Sequence, residues 1–220
     1  MRKQLTQLLV LAGLLIFSVS CNTTQTDGGT VTDAGTEDTV APEPETVLPQ
    51  TSGVAMQGDN YEIVVINDSI KSPRKELRGS LAGADITINY GSPAVNGREL
   101  YGGLVPYGKV WRTGANEAVR ITTSAPLKFG KEGKTVPAGS YGLFTIPADR
   151  DNWTIIFNKE ADQWGAYDYS EAADVARVTT TSRTEDDFSE RMDFTLSDDG
   201  VELHWGDLVI PVQVMAATSE

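Results

Sequence analysis

Ala84-Asp85-Ile86-Thr87-Ile88-Asn89-Tyr90 alternates apolar and polar side chains along its whole length. Successive side chains of a strand point to opposite faces of a sheet, so this pattern predicts a strand with one buried and one solvated face. Similar runs lie on both sides of it, separated by turn sequences such as Pro137-Ala138-Gly139 and Asp198-Asp199-Gly200. We predict strands at 61–66, 84–90, 118–123, 139–146, 153–157, 176–181, 191–196, 201–205 and 208–214.

These frequent short strands determine the expected fold class. They are rich in Val, Ile, Thr and aromatic residues, which fit a pleated and half-buried surface. We therefore predict an all-β protein with a single antiparallel β-sandwich or jelly-roll-like domain at residues 61–220. About 160 residues suffice for one domain with its own core. Only 159–176, with its Ala and Glu, leaves room for a short helix.

The first residues predict export and lipidation. A positive start, Met1-Arg2-Lys3, precedes an apolar run at 8–19 that is too short for a membrane-spanning helix of about 20 residues. Ser18-Val19-Ser20-Cys21 then fits a lipobox, so we predict a signal peptide at 1–20 and a lipidated Cys21 that contacts the membrane through its acyl chains. The alternative is an ordinary signal peptide followed by an incidental cysteine.

Cys21 is the only cysteine in the chain, which excludes an internal disulfide and a Cys-based metal site. Residues 21–60 are rich in Thr, Gly, Pro and acids, and they have too few apolar side chains to form a core. We predict a disordered tether there, with an acidic binding tail as the alternative. Asn22 stands where an aspartate would favour inner-membrane retention. We therefore expect a cell-envelope lipoprotein of the outer membrane, facing either the periplasm or the surface.

The charge of the chain argues against a nucleic-acid partner. The formal net charge is −13 at pH 7, and beyond residue 60 the chain still holds 16 Lys and Arg against 24 Asp and Glu. Proteins bind nucleic acid largely by neutralising phosphates with Lys and Arg. No nucleic acid is therefore expected among the partners.

One long segment, 91–117, breaks the strand pattern. Long irregular segments in compact domains are uncommon and often functional. With a second aromatic-polar cluster at 158–169, it supplies the residues that we expect to bind a glycan or another envelope ligand. These candidates are Arg98, Tyr107, Lys109, Trp111, Arg112, Asn116, Glu117, Gln163, Trp164 and Tyr167.

A structural role for the same residues is the competing interpretation. Arg112 could donate to carbonyls of the loop, Asn116 could cap a turn, and Glu117 could pair with Arg112 or Arg120. The two interpretations can hold together.

Three ordered motifs resemble one family. They are Gly-Gly-Leu-Val-Pro-Tyr-Gly-Lys-Val-Trp-Arg-Thr-Gly-Ala-Asn-Glu-Ala (102–118), Pro-Ala-Gly-Ser-Tyr-Gly-Leu-Phe-Thr-Ile-Pro (137–147) and Phe-Asn-Lys with Gln-Trp-Gly-Ala-Tyr (157–167). Over 86–214 the chain resembles a domain-of-unknown-function family of secreted bacterial proteins. The resemblance implies an exported β-sandwich and no particular activity. Gly91 stands where many relatives are expected to have Ser.

Several kinds of catalytic site are excluded by residue counts and motifs. His204 is the only histidine, and there is no Gly-x-Ser-x-Gly elbow, zinc-hydrolase motif or phosphate-binding loop. We interpret His204 as a partly exposed strand residue. Asp186-Asp187 and Asp198-Asp199 could bind calcium but are better explained as solvated turns. No metal or cofactor is expected.

The sequence therefore predicts a non-catalytic binding or interaction module of the envelope. One alternative is a glycoside hydrolase, which needs only two carboxyl groups at the scissile bond. Glu117, with Asp162 or Asp168, would be the weak candidate pair, and the catalytic residues are otherwise unknown. The other alternative is a purely structural envelope protein. The sequence makes no prediction of the oligomeric state.

Overall fold

The computed structural model describes residues 53–217. The predicted signal peptide, Cys21 and most of the predicted tether lie outside the described residues. The strands in chain order are β1 (Val54–Gln57), β2 (Tyr61–Asn67), β3 (Arg74–Leu81), β4 (Ala84–Gly91), β5 (Val119–Thr123), β6 (Leu127–Phe129), β7 (Lys134–Val136), β8 (Gly139–Pro147), β9 (Asn152–Asn158), β10 (Asp174–Thr181), β11 (Arg183–Leu196) and β12 (Gly200–Ala216).

The strands form two antiparallel sheets that pack as a sandwich, which confirms the predicted fold class. The larger sheet has the order β1-β2-β3-β4-β5-β8-β9-β10, and the smaller has the order β11-β12-β6-β7. β5 and β8 are neighbours in the larger sheet, although β6 and β7 lie between them along the chain. The chain therefore leaves the larger sheet, adds two strands to the smaller one and returns.

The core lies between the sheets and follows the alternation in the sequence. Ile86, Ile88 and Tyr90 of β4 are buried, whereas Thr87 and Asn89 lie on the solvent side. The largest wholly buried side chains include Trp153 and Trp205, with several Phe, Ile and Leu. Burying a large apolar side chain contributes roughly 1.5–3 kcal/mol, so this core can stabilise a domain that has no disulfide.

β1, β3, β6 and β7 are strands that the sequence did not predict. β3 carries Lys75 at an inward position, which breaks the expected apolar pattern. The Lys75 Nζ lies 2.6 Å from the Asp193 carboxylate, and the Tyr90 hydroxyl donates to the same carboxylate at 2.8 Å. This charge is tolerated inside because the opposite charge and a hydrogen bond compensate for its lost hydration. β1 begins seven residues before the predicted start of the domain at Tyr61.

β12 was predicted as two strands, and it folds back on itself near the predicted break. Gly206 has φ 66°, a left-handed conformation that glycine adopts readily. The Val214 N–H donates to the Asp199 carbonyl at 2.9 Å, which brings the two ends of the strand together. A Cβ on Gly200 would lie 2.0 Å from the Val212 carbonyl, so the approach requires glycine there.

Two irregular segments cover part of the outer face of the larger sheet. One joins β4 to β5, as predicted, and the other joins β9 to β10. The second contains a 3₁₀ turn (Glu171–Ala173), the only helical segment within residues 53–217. Between the segments and the sheet lies a small apolar cluster, centred on buried Ala118, Phe144 and Ile156. The segments thus form a third, partial layer that leaves the outer face of β3, β4 and β5 open.

Candidate functional site

The open part of the outer face is lined by polar side chains in cross-strand register. One row crosses β2, β3, β4, β5 and β8, and a second row crosses β3, β4 and β5 beside it. Opposite residues on neighbouring strands lie close enough for their side chains to interact. We call this surface the polar floor. It consists of Glu62, Arg78, Thr87, Thr122 and Ser140 in the first row and Glu76, Asn89 and Arg120 in the second.

Hydrogen bonds order these side chains. The Thr122 and Ser140 hydroxyls lie 2.8 Å apart. The Glu76 carboxylate accepts from the Asn89 amide at 3.0 Å and from the Arg78 guanidinium at 2.8 Å. Their orientations are therefore set before any ligand arrives, which reduces the entropy lost on binding.

Three ion pairs neutralise all the charges on and around the polar floor except that of Glu62. Besides Arg78–Glu76, Arg120 pairs with Asp162 at 2.8 Å and Arg74 with Glu117 at 3.1 Å. Burial lowers the pKa of Arg74 from its ordinary value, and the Glu117 carboxylate opposes that shift. The floor and its ion-pair partners thus hold three arginines and four carboxylates, and most of their charge is paired.

The segment between β9 and β10 forms a wall along one side of the floor. The Ala118 N–H donates to the Gln163 carbonyl at 2.9 Å, and the Gly165 N–H donates to the Asn116 carbonyl at 3.1 Å. Glu117 and Trp164 are thus opposite residues of an antiparallel bridge. Opposite residues in such a pair share a face, so the Trp164 side chain flanks the Glu117–Arg74 ion pair.

Trp164 is an exposed aromatic at the edge of the polar floor. Its exposed fraction is 61%, and that of Tyr167 on the same segment is 84%. Exposed large aromatics offer faces for flat ligands, and tryptophan and tyrosine are common in binding sites for this reason. Asn116, Glu117, Gln163 and Trp164 are the predicted ligand-binding residues that the structure brings together.

Two of the predicted ligand-binding residues each have a polar atom with no hydrogen-bond partner among the described residues. These atoms are the Arg112 Nε and the Gln163 Oε1, both buried. The Gln163 amide nitrogen donates to the Glu160 carbonyl at 3.0 Å, so this side chain is half satisfied. Arg112 was predicted to donate to loop carbonyls, but Arg98 does so instead, to Val95 at 3.0 Å and Ala94 at 2.5 Å.

Trp111 lies in the core, which corrects its assignment as a ligand-binding residue. Its exposed fraction is 8%, and its ring stacks on Trp205 of the opposite sheet at 5.7 Å between centroids. Its backbone pairs with Thr145 of β8 through two hydrogen bonds, of 2.8 and 2.9 Å. Because Trp205 covers one face of the ring and the residue is only 8% exposed, the ring offers no open face to a ligand. The structural interpretation therefore holds for Trp111.

The remaining predicted residues lie elsewhere. Tyr107 and Lys109 are exposed on either side of Gly108, whose N–H donates to Pro147 at the end of β8. Arg98 lines a cavity of about 390 Å³ together with Arg150, Phe188 and others, close to the bend of β12. Cys21 lies outside the described residues.

Two of the three carboxylates considered for hydrolysis are held by an arginine. Glu117 pairs with Arg74, not with Arg112 or Arg120 as predicted, and Asp162 pairs with Arg120. Asp168 is exposed. A glycosidase requires one protonated and one free carboxyl group on opposite sides of the scissile bond. Among residues 53–217, no three His, Cys, Asp or Glu side chains are grouped to hold a metal ion.

His204 lies on the outer side of the smaller sheet and is partly buried. Its Nε2 is 2.9 Å from the Thr195 hydroxyl and 3.5 Å from the Glu202 carboxylate. Burial lowers the pKa of His204, and Glu202 and Glu185 oppose that shift. It has the position expected from the sequence, on the same face as Glu202.

Most residues of the polar floor were not singled out in the sequence. Thr87, Asn89, Arg120 and Thr122 are the polar members of two alternating runs, and alternation does place them on one face. Their approach to β3 depends on strand order and register, which no local pattern reveals. β3 itself carries Arg74, Glu76 and Arg78 in a run with no strand signature.

No helix of the described part of the chain is both long and apolar enough to cross a membrane. No curated protein and no solved structure matches the chain significantly. One family does match, over residues 72–214, from the approach to β3 to the last part of β12. This match covers well over half of the chain and all of the polar floor except Glu62. The chain therefore belongs to the family described as "Protein of unknown function (DUF2911)".

Proposed function

We propose that the domain is a non-catalytic binding module for a neutral glycan of the cell envelope. The glycan binds at the polar floor. The observation that carries this proposal is a polar floor, most of whose charges are paired, beside the exposed Trp164. Planar amide, carboxylate and guanidinium groups hydrogen-bond to hydroxyls, and an aromatic face takes the apolar side of a sugar ring. A ligand without charge would leave the three ion pairs intact.

Binding is a better explanation of this geometry than hydrolysis. Glu117 and Asp162 are oriented by Arg74 and Arg120, which suits a carboxylate that accepts hydrogen bonds from a ligand. It does not suit a group that must deliver a proton to a leaving oxygen. We therefore expect that Glu117→Gln weakens binding and that the unsubstituted protein releases no reducing sugar from the glycans it binds.

The location of the domain belongs to the same proposal. Cys21, acylated after removal of the signal peptide, would hold it at the outer membrane of the envelope by a tether of about 30 residues, since β1 begins at Val54. A flexible tether of this length has an end-to-end distance of roughly 30 Å. A floor carried at that distance could reach a glycan that lies outside the headgroup region.

The proposal is tested by binding of the full chain, in detergent, to an immobilised panel of neutral and acidic envelope glycans. We expect binding to neutral glycans that falls about tenfold or more in Trp164→Ala and in Arg120→Gln, since each removes a contact worth about 1–2 kcal/mol. Phe188→Ala is the matched control for Trp164, because Phe188 is 59% exposed on β11 of the other sheet.

Arg150→Gln is the control for Arg120. Both arginines are partly exposed and ion-paired, Arg150 with Asp207 at 2.7 Å. Neither control should change binding. Absence of binding to every glycan in the panel, or equal losses in the controls and the floor variants, would contradict the proposal. Turnover that disappears in Glu117→Gln would favour the hydrolase instead.

A further inference from the structure

An open surface depression of about 440 Å³, which we call the cavity, adjoins the polar floor at the side away from Trp164. It lies where the turn between β1 and β2 rises beside the outer face of β3 and β4. Glu62, Arg78 and Thr87 belong both to this cavity and to the first row of the floor. The floor and the cavity are therefore one continuous surface.

The polar groups of the cavity are oriented by each other. The Asn60 amide donates to the Ser80 carbonyl at 3.4 Å, and the Ser80 hydroxyl donates to the Asp85 carboxylate at 2.7 Å. The Asp85 N–H donates in turn to the Ser124 hydroxyl at 2.8 Å. Such a network presents fixed donors and acceptors to a ligand, as the floor does.

The cavity lies too far from Trp164 for one sugar ring to contact both. Arg78 at the cavity is four residues along β3 from Arg74, the partner of Glu117. The bridge between Glu117 and Trp164 lies just before β5, three strand spacings from β2. With about 3.3 Å per residue along a strand and about 4.8 Å between strands, the separation is on the order of 20 Å.

We infer that the site takes a linear glycan of several units, which lies diagonally across the polar floor with one end on Trp164 and the other in the cavity. This inference rests on the proposed function and adds the length and direction of the ligand. Each unit that reaches another part of the floor adds contacts without a second loss of translational freedom. Affinity should therefore increase with chain length until the cavity is occupied.

The charge of the cavity limits the kind of sugar at that end. Asp59, Glu62 and Asp85 contribute three carboxylates, and the single guanidinium of the cavity, that of Arg78, is already paired with Glu76. A uronate or sialate unit would place another negative charge beside them, and like charges at close range repel. The end of the chain that enters the cavity is therefore neutral.

The experiment is calorimetric titration of the full chain, in detergent, with cello- and chito-oligosaccharides of one to six units and with oligogalacturonates as the acidic series. We expect affinity for a neutral series to increase at least tenfold from the shortest to the longest members and then to level off, with no binding of the acidic series. Arg78→Gln should lower affinity for the long oligomers about tenfold and leave that for the short ones unchanged. Arg150→Gln, at an arginine of similar exposure and pairing, should change neither.

The other possible results contradict different parts of the inference. Equal affinity at all lengths, or an Arg78→Gln loss that is the same for short and long oligomers, overturns the extended ligand and leaves a glycan module with one short subsite. Tight binding of oligogalacturonates overturns the neutral end. If no glycan of any length or charge binds to the folded protein, the proposed function and this inference both fail.

Discussion

Trp111 and Trp164 are the two tryptophans of the conspicuous motifs, and their environments are opposite. Trp111 pairs with β8 and takes an inward position, where it stacks on Trp205. Trp164 pairs with Glu117 on the outer side of the sheet and remains exposed. Residue type alone could not separate them, because both stand in irregular segments that have no alternation to indicate a face.

Trp111→Ala should therefore be strongly destabilising. It removes a large buried ring from between the sheets, a change that typically costs about 3–5 kcal/mol. The free energy of unfolding is measured by urea denaturation followed by circular dichroism. Trp164→Ala is the matched control and should change that free energy by no more than about 0.5 kcal/mol. Similar costs for the two variants would contradict the positions described above.

The reason for glycine at position 91 appears only in the structure. A Cβ there would lie 2.2 Å from the Ala115 carbonyl oxygen, so the chain passes too close for any side chain. The sequence could only record that a hydroxyl expected at 91 is missing. The neighbouring Ser92 is wholly buried, and its hydroxyl donates to the Met192 carbonyl at 2.7 Å.

At the scale of elements, strands with alternating or apolar runs could be predicted. The predicted strand at 84–90 corresponds to β4, and that at 153–157 to β9. β3 could not be predicted, because Lys75 occupies a core position that is acceptable only through its contacts with β11 and β4. The turn at Gly206 explains why one long strand was read as two.

The sequence likewise identified one part of the candidate site and missed the other. The sequence identified the wall, because its aromatic and polar residues stand out in an irregular segment. It did not identify the polar floor, because a Thr or Arg on a strand is ordinary by itself. The floor exists only through the order β2-β3-β4-β5-β8, which places residues up to 78 positions apart, Glu62 and Ser140, in one row.

The β11–β12 pair should make stability depend on pH through His204. Its folded pKa is lowered by burial, whereas in the unfolded chain it returns to about 6.5. Below about pH 6.5 the unfolded state binds more protons than the folded state. The contribution of His204 to the free energy of unfolding is therefore complete above about pH 6.5 and is lost as the pH falls towards the folded pKa.

The free energy of unfolding of the original protein and of His204→Gln should be compared at about pH 7.5 and about pH 5.5. Gln can still hydrogen-bond to Thr195 but does not titrate, so the variant should lose less stability on acidification. Carboxylates other than Glu185 and Glu202, which face His204, contribute equally to both proteins and cancel in the comparison. Identical losses, or a larger loss in the variant, would show that His204 is not protonated preferentially in the unfolded state.

For the whole molecule, the proposed anchor leads to a test that does not depend on the ligand. Mass spectrometry of the amino-terminal peptide should show acylated Cys21 as the first residue. Cys21→Ser should abolish the acylation, and Ser20→Ala, which keeps a small residue before the cleavage site, should preserve it. An unmodified thiol at Cys21 in membranes of the producing cell would rule out the lipid anchor.

The path of the chain through β6 and β7, between β5 and β8, should make unfolding of the two sheets cooperative. The chain between β5 and β8 forms β6 and β7, which are two of the four strands of the smaller sheet. Neither sheet should therefore unfold while the other stays intact. Lys75 and Asp193 tie the layers together at a second place. Heat or denaturant should therefore meet a single all-or-none unit, in which a weakness at any strand lowers one shared melting point.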